Sequence, residues 1–161
     1  MTTTKSHIGK SMYFATALPA TNDAAGFEAL NWVKVEGFQG GAQFGFDNAD
    51  IDVPDLQTGI TTRLKGTGTG AASTLSFRKV ATDTTGQGGL KTLADGVGTV
   101  GSIKIGRGSG AAGALEPGDP VEYAQGYYKS FTGMEASSTS HEGFTVIFQQ
   151  NAPSVEDDEP A

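Results

Sequence analysis

Residues 27–46 read FEALNWVKVEGFQGGAQFGF, and the chain changes character at Gly37. Before it, Val33 and Val35 alternate with Lys34 and Glu36, the period of a half-buried strand. Trp32 is the single tryptophan and is read as a large core anchor. After it, glycines stand at positions 37, 40, 41, 45, 59, 66, 68 and 70. Among them recur Phe38, Phe44, Phe46, Ile51, Val53, Leu56, Ile60 and Leu64. Residues 37–72 therefore read as a long Gly-rich loop or hairpin. Such excursions are uncommon inside a compact domain unless they are functional or disordered. This one carries too many apolar groups to be a simple linker. Those apolar side chains are assigned to contacts between subunits.

Strand patterns recur on either side of this stretch. Met12–Leu18 reads as a first strand, stopped by Pro19. Leu75 and Phe77 stand out in Thr74–Val80, and Ile103 and Ile105 in Val100–Ile105. Val121–Met134 carries Tyr123, Tyr127, Tyr128 and Phe131, and Phe144–Gln150 sets Phe144, Val146 and Phe148 on one face. Leu90, Leu93, Ala94 and Val97 fall at i, i+3, i+4 and i+7, one face of a short helix near Gly96. The core anchors are Trp32, Val33, Val35, Leu75, Phe77, Phe144, Val146 and Phe148. The fold class is mainly β: a sandwich or barrel of roughly seven or eight strands with one short flanking α-helix. One domain is expected over 12–150, with a flexible N-terminal arm at 1–11 and a disordered acidic tail at 151–161.

Composition narrows the function. The 161 residues suit one domain, and 24 glycines fit short strands joined by many turns. There is no cysteine, which excludes disulfides, thiolate zinc sites and cysteine nucleophiles and fits folding in a reducing cytoplasm. No apolar run approaches the ~18 residues of a membrane span, and no apolar segment of a signal peptide follows the basic start. The net charge is −7, and Glu156, Asp157, Asp158 and Glu159 supply four of those charges without a base nearby. Lysines and arginines are scattered apart from Arg78–Lys79, so the basic patch of a nucleic-acid binder is missing.

The short motifs fail their contexts. Gly9-Lys10-Ser11 resembles the end of a phosphate loop, but position 4 is threonine where the leading glycine belongs. Gly108, Gly110 and Gly113 satisfy the dinucleotide spacing, but Pro117 and Pro120 prevent the helix that should follow. Asp47, Asp50, Asp52 and Asp55 form an acidic cluster, either an irregular calcium site or a solvated surface; the EF-hand pattern fails at Val53 and Gly59. His141–Glu142 cannot cooperate on a strand, and His7 is the only other histidine. No Gly-x-Ser-x-Gly occurs. No catalytic, cofactor-binding or metal residue is assigned, and the chain is read as not an enzyme.

Certain segments resemble, in order and spacing, the major tail tube proteins of long-tailed, siphovirus-type bacteriophages. They are the Trp-Val-x-Val strand and glycine at Trp32–Gly37, the stretch Ile51–Gly59, Lys65–Gly66, Leu75-Ser76-Phe77, and Asp83 with Gly86–Gln87 before the helix. Phe131-Thr132-Gly133-Met134-Glu135 before the last strand completes the set. The likeness covers residues 27–150. It implies a β-sandwich with one flanking helix, six copies in a ring, and rings stacked into a hollow tube through which double-stranded DNA passes without specific binding. It further implies a tape-measure protein inside, tail terminator and distal tail proteins as partners, no membrane, no cofactor, a place in the virion tail, and assembly in the host cytoplasm. It suggests a flexible tail without a sheath. The residues agree with self-assembly in two respects: the apolar excursion needs burial, and open sheet edges need covering. Two other readings stay open. One is a carbohydrate- or ligand-binding sandwich using Tyr123, Tyr127 and Tyr128. The other is a different virion part, such as a tail terminator or head decoration protein.

Overall fold

The computed structural model describes residues 5–161. The first four residues of the expected arm lie outside the described residues. The chain runs β1 (Lys10–Ala15), α1 (Ala24–Glu28), β2 (Val33–Val35), β3 (Phe38–Gly40), β4 (Phe46–Pro54), β5 (Thr61–Gly70) and β6 (Ala72–Arg78). It continues through α2 (Gln87–Asp95), β7 (Gly101–Arg107), a 3-10 turn at Ala111–Gly113, β8 (Pro120–Gly133), β9 (Gly143–Gln150) and β10 (Val155–Asp158). All pairings are antiparallel.

The main sheet has the order β2-β1-β7-β8-β9-β6-β3, with β10 also on β8. Its two ends, β2 and β3, are separated in the chain only by Glu36 and Gly37. One bent segment thus pairs with β1 on one side and β6 on the other, and the sheet wraps round on itself. The bend needs glycine. Gly37 has φ +75°, and a Cβ there would collide with the Arg78 carbonyl. Two side chains beside α2 hold the corner. The Gln87 amide donates to the carbonyls of Glu36 (2.7 Å) and Arg78 (2.8 Å) and accepts from the Val80 N–H (3.0 Å). The Asp83 carboxylate accepts from the N–H groups of Glu36, Gly86 and Gln87.

Inside lie Met12, Phe14, Val35, Leu75, Phe77, Ile103, Tyr128, Phe144, Val146 and Phe148, all buried. Leu90, Leu93 and Ala94 of α2 close this core, as the helical spacing predicts. Val97 of the same pattern is exposed because α2 ends at Asp95. Of the expected anchors, Val33 is partly buried against this core. Trp32 belongs to a second cluster on the outer face, with Phe27, Val121 and Tyr123. Phe27 stacks on Tyr123 at 5.1 Å between ring centroids, and Trp32 packs on it at 5.7 Å. Phe27 is delivered by the single-turn α1, whose N-cap Asp23 accepts from the Gly26 N–H at 2.8 Å. Strand β7 is covered on both faces, and so Gly101–Gly106 are all buried.

Two expected boundaries are corrected. The first strand begins at Lys10 rather than Met12, and Ser11, placed in the arm, is buried with its hydroxyl donating to the Gly113 carbonyl at 2.7 Å. The acidic tail is not disordered. Val155–Asp158 pairs with Pro120–Tyr123 of β8, continuing the line of β9 after a short break. The reason is a buried cation. The ammonium of Lys104 meets both carboxylate oxygens of Glu159 at 3.0 and 3.1 Å, between the rings of Tyr13 and Trp32.

Candidate assembly interface

Between Phe46 and Gly70 the chain leaves the barrel as a two-stranded ribbon, β4 paired with β5. Ten residues of β5 at ~3.4 Å each give it a length of about 30 Å. Every residue from Ala49 to Lys65 is exposed. The base is fixed by buried Gln150, whose side-chain carbonyl accepts from the Gly45 N–H at 3.1 Å. Gln149 donates to the Gly70 carbonyl at 2.8 Å, and Ser73 exchanges two hydrogen bonds with the Gln43 backbone.

Register sorts the ribbon into two unlike faces, because directly paired residues share a face. Ile51 pairs with Leu64, Val53 with Thr62, and Phe46 with Gly70. Gly66 and Thr67 of β5 together oppose Ala49, a bulge that leaves the alternation of β4 unbroken, so Phe46 and Asn48 fall on the side away from Ile51. Gly66 stands on the Ile51 side, and Gly68 and Gly70 on the Phe46 side. A Cβ on Gly68 would collide with the Phe46 ring, and one on Gly66 would press on Ile51. The face of Ile51, Val53 and Leu64, with Gly66, is apolar. The other carries Asp50 opposite Lys65 and Asp52 opposite Arg63, the latter an ion pair at 3.1 Å. Both long edges lack strand partners within the described chain.

The tip is a built turn. The Asp55 carboxylate accepts from the Gln57 N–H (2.8 Å) and the Thr58 hydroxyl (3.0 Å), while its carbonyl accepts from the Gly59 N–H (2.9 Å). These bonds, the Gln57 N–H first, hold the Asp55 carboxyl below its ordinary value. The turn leaves Leu56 fully exposed, with Ile60 largely so.

The residues assigned to subunit contacts divide accordingly. Phe46, Ile51, Val53, Leu56, Ile60 and Leu64 are exposed on the ribbon, while Phe38 and Phe44 pack against the barrel core. Phe38 lies on Phe77 at 5.6 Å between centroids. Gln150, Gln87 and Ser73 position the ribbon and the corner, and no sequence signal marks them: nothing local distinguishes a buried glutamine from an exposed one.

The alternative sites separate in space. Asp47, Asp50 and Asp52 are strung along one strand and Asp55 is engaged in its own turn; among the described residues no three acids or histidines are grouped to hold a metal ion. Tyr123 is buried under Phe27 on the outer face. Tyr128 is buried on the inner face, its hydroxyl donating to the Ser102 carbonyl at 2.8 Å. Only Tyr127 of the three is exposed, so they form no common stacking surface. Desolvation holds both buried phenols well above their ordinary value. The Gly108–Gly113 loop closes on itself through Asp119, which accepts from the N–H groups of Ser109 and Glu116.

No protein-family model matches the chain, and no curated protein matches it by sequence. Solved structures do match in fold. A chain in the six-fold symmetrised cryo-EM structure of the anti-feeding prophage baseplate aligns with TM-score 0.62 at 10% identity, covering 96% of this chain and 97% of that one. A chain in the sheath/tube terminator structure of an extracellular contractile injection system aligns with TM-score 0.54 at 11% identity, covering 91% and 92%. One in the sheath–tube complex of such a system aligns with TM-score 0.52 at 11% identity, covering 91% and 88%. At such identities the likeness establishes a shared fold over nearly the whole length.

Proposed function

We propose that this chain is a structural subunit of a phage-tail-like particle, assembling with copies of itself into stacked rings, six to a ring, that form a hollow tube. The observation that carries this reading is the ribbon: a ~30 Å element with one apolar face and two open edges, standing in water in the single chain. A monomer gains nothing from such an element, whereas a head-to-tail neighbour would bury it. The folds it matches come from a baseplate, a tube terminator and a sheath–tube complex. Because sheath-containing assemblies are among them, the reading extends to tubes inside a contractile sheath and is not tied to a sheathless, siphovirus-type tail. A bore crossed by DNA, a tape-measure protein within it, and terminator and distal tail proteins at its ends follow from the same reading. So do a place in the virion tail and assembly in the host cytoplasm. The net charge of −7 suits a conduit, since it offers phosphates little to bind.

The test is negative-stain electron microscopy across a concentration series. Hollow tubes or stacked rings are expected. The likeness to a terminator assembly supports a second reading, in which growth stops at a single ring, and the same images distinguish the two. A monomer at every concentration would count against both.

A further inference from the structure

The ribbon and a cavity lie at opposite ends of β6. The ribbon base joins its first residue through Ala71, and the cavity begins at Lys79, just past its last residue, Arg78. Seven residues of strand put them roughly 20 Å apart. The cavity has a volume of about 420 Å³ between α2 and the far ends of β8 and β9. Its floor is apolar, made of Val80, Ala81, Phe131, Met134 and Phe144.

We propose, building on the self-assembly reading, that this cavity receives the ribbon tip of a second copy, with Leu56 as the inserted side chain. Three observations carry it. Leu56 is fully exposed on a turn already locked by Asp55, so insertion costs little ordering. The ribbon base and the hole lie at opposite ends of β6 and are different surfaces, which makes the contact head-to-tail; contacts of that kind either close into rings or run on as filaments, and this one is assigned to the open, axial direction. Charge also fits. The turn 54–60 carries Asp55 as its single charge, and the lip carries the exposed ammonium groups of Lys79 and Lys91. Lys79 pairs with Glu142 at 2.9 Å and Lys91 with Asp95 at 2.6 Å, both pairs on the surface, and the Asp83 carboxylate is turned to backbone N–H groups, so Asp55 would join existing pairs at the lip. The contact identifies an axial joint between rings, leaving the ribbon's apolar face for the flank of the same neighbour.

The absence of cysteine makes the test clean. In the assembled Leu56→Cys/Met134→Cys variant, oxidation is expected to give a ladder of cross-linked copies on non-reducing electrophoresis, since each copy donates one knob and accepts one. Mixed single variants should give dimers only. Leu56→Glu should abolish assembly and Leu56→Met should keep it. Tubes that form without cross-links, or that form normally from Leu56→Glu, overturn this contact while leaving self-assembly standing. If the cysteine pair blocks assembly, Met134→Trp, which fills the hole, decides: loss of tubes supports the contact and normal tubes overturn it. A wild-type chain that never assembles overturns contact and self-assembly together.

Discussion

Lys104 sits mid-strand in β7 with its side chain 4% exposed, and few environments tolerate that. The site is made bearable by Glu159 at 3.0 Å and by the faces of Tyr13 at 4.7 Å and Trp32 at 5.2 Å. Removing the carboxylate leaves an ammonium buried against ring faces alone, a change on the order of 3 kcal/mol for a broken buried pair. Glu159→Gln is therefore expected to lower the unfolding free energy by up to that amount, read as a lower urea midpoint at unchanged slope, and Lys104→Met/Glu159→Gln to restore most of it. Equal midpoints for wild type and Glu159→Gln would show that the pair contributes nothing. Gln87 answers to similar reasoning. Gln87→Leu keeps the volume but strands the Val80 N–H and the carbonyls of Glu36 and Arg78, costing about 1–3 kcal/mol, measured by the same denaturation. Asp55 sets a pH dependence. Its folded carboxyl lies below the ordinary value of 3.8, so its contribution is complete above that value and is lost as pH falls through the folded one. The Gln57 amide proton should report this protonation in NMR with a midpoint below the ordinary carboxyl value, and Asp55→Asn should abolish that step.

At the scale of the element, the ribbon separates what a side chain does for folding from what it would do in the proposed assembly. Ile51 and Leu64 face each other in water, so Ile51→Lys and Leu64→Lys should leave the thermal midpoint within the small range usual for surface changes while abolishing assembly in sedimentation velocity. Phe44 does not belong in that test, because it packs on the barrel core and its loss would destabilise the monomer itself. Sequence patterning reached part of this. The run of glycines with interspersed apolar residues marked 37–72 as an excursion, within which β4 and β5 form a separate ribbon, and the alternation in Leu75–Phe77 and Phe144–Phe148 placed two neighbouring strands of the barrel. The ribbon's pairing stayed hidden because the extra residue at Gly66–Thr67 breaks the period of two on β5, leaving Gly66 and Gly68 in phase in the sequence and on opposite faces in space. Trp32 was expected in the same core as Phe144, but a residue outside any strand gives no clue to which face of a sheet it will cover.

For the whole molecule, closure and termination are one problem. The barrel is closed by the bend at Glu36–Gly37, and its outer face over β7 and β8 is closed by α1, Trp32 and β10. Val-Glu-Asp-Asp has neither the composition nor the alternation of a strand, so nothing local could announce β10. Its order comes from a lysine 55 residues earlier and from the open edge of Pro120–Tyr123. The Glu159 backbone finishes the seam, donating to the Asp119 carbonyl at 2.7 Å and accepting from the Gly118 N–H at 2.9 Å. A chain truncated after Ser154 thus loses three things at once: the ladder on β8, the partner of Lys104 and the Val155 cover over Tyr123. It is expected to be less stable than Glu159→Gln alone, and to exchange the amides of Val121 and Tyr123 faster relative to those of Ala124 and Tyr128. Its newly bare edge should promote irregular association in place of ordered tubes. A tail that merely trails in solvent would make the truncation silent in both stability and exchange, so unchanged protection at Tyr123 would return 151–161 to disorder and leave Lys104 without its explanation.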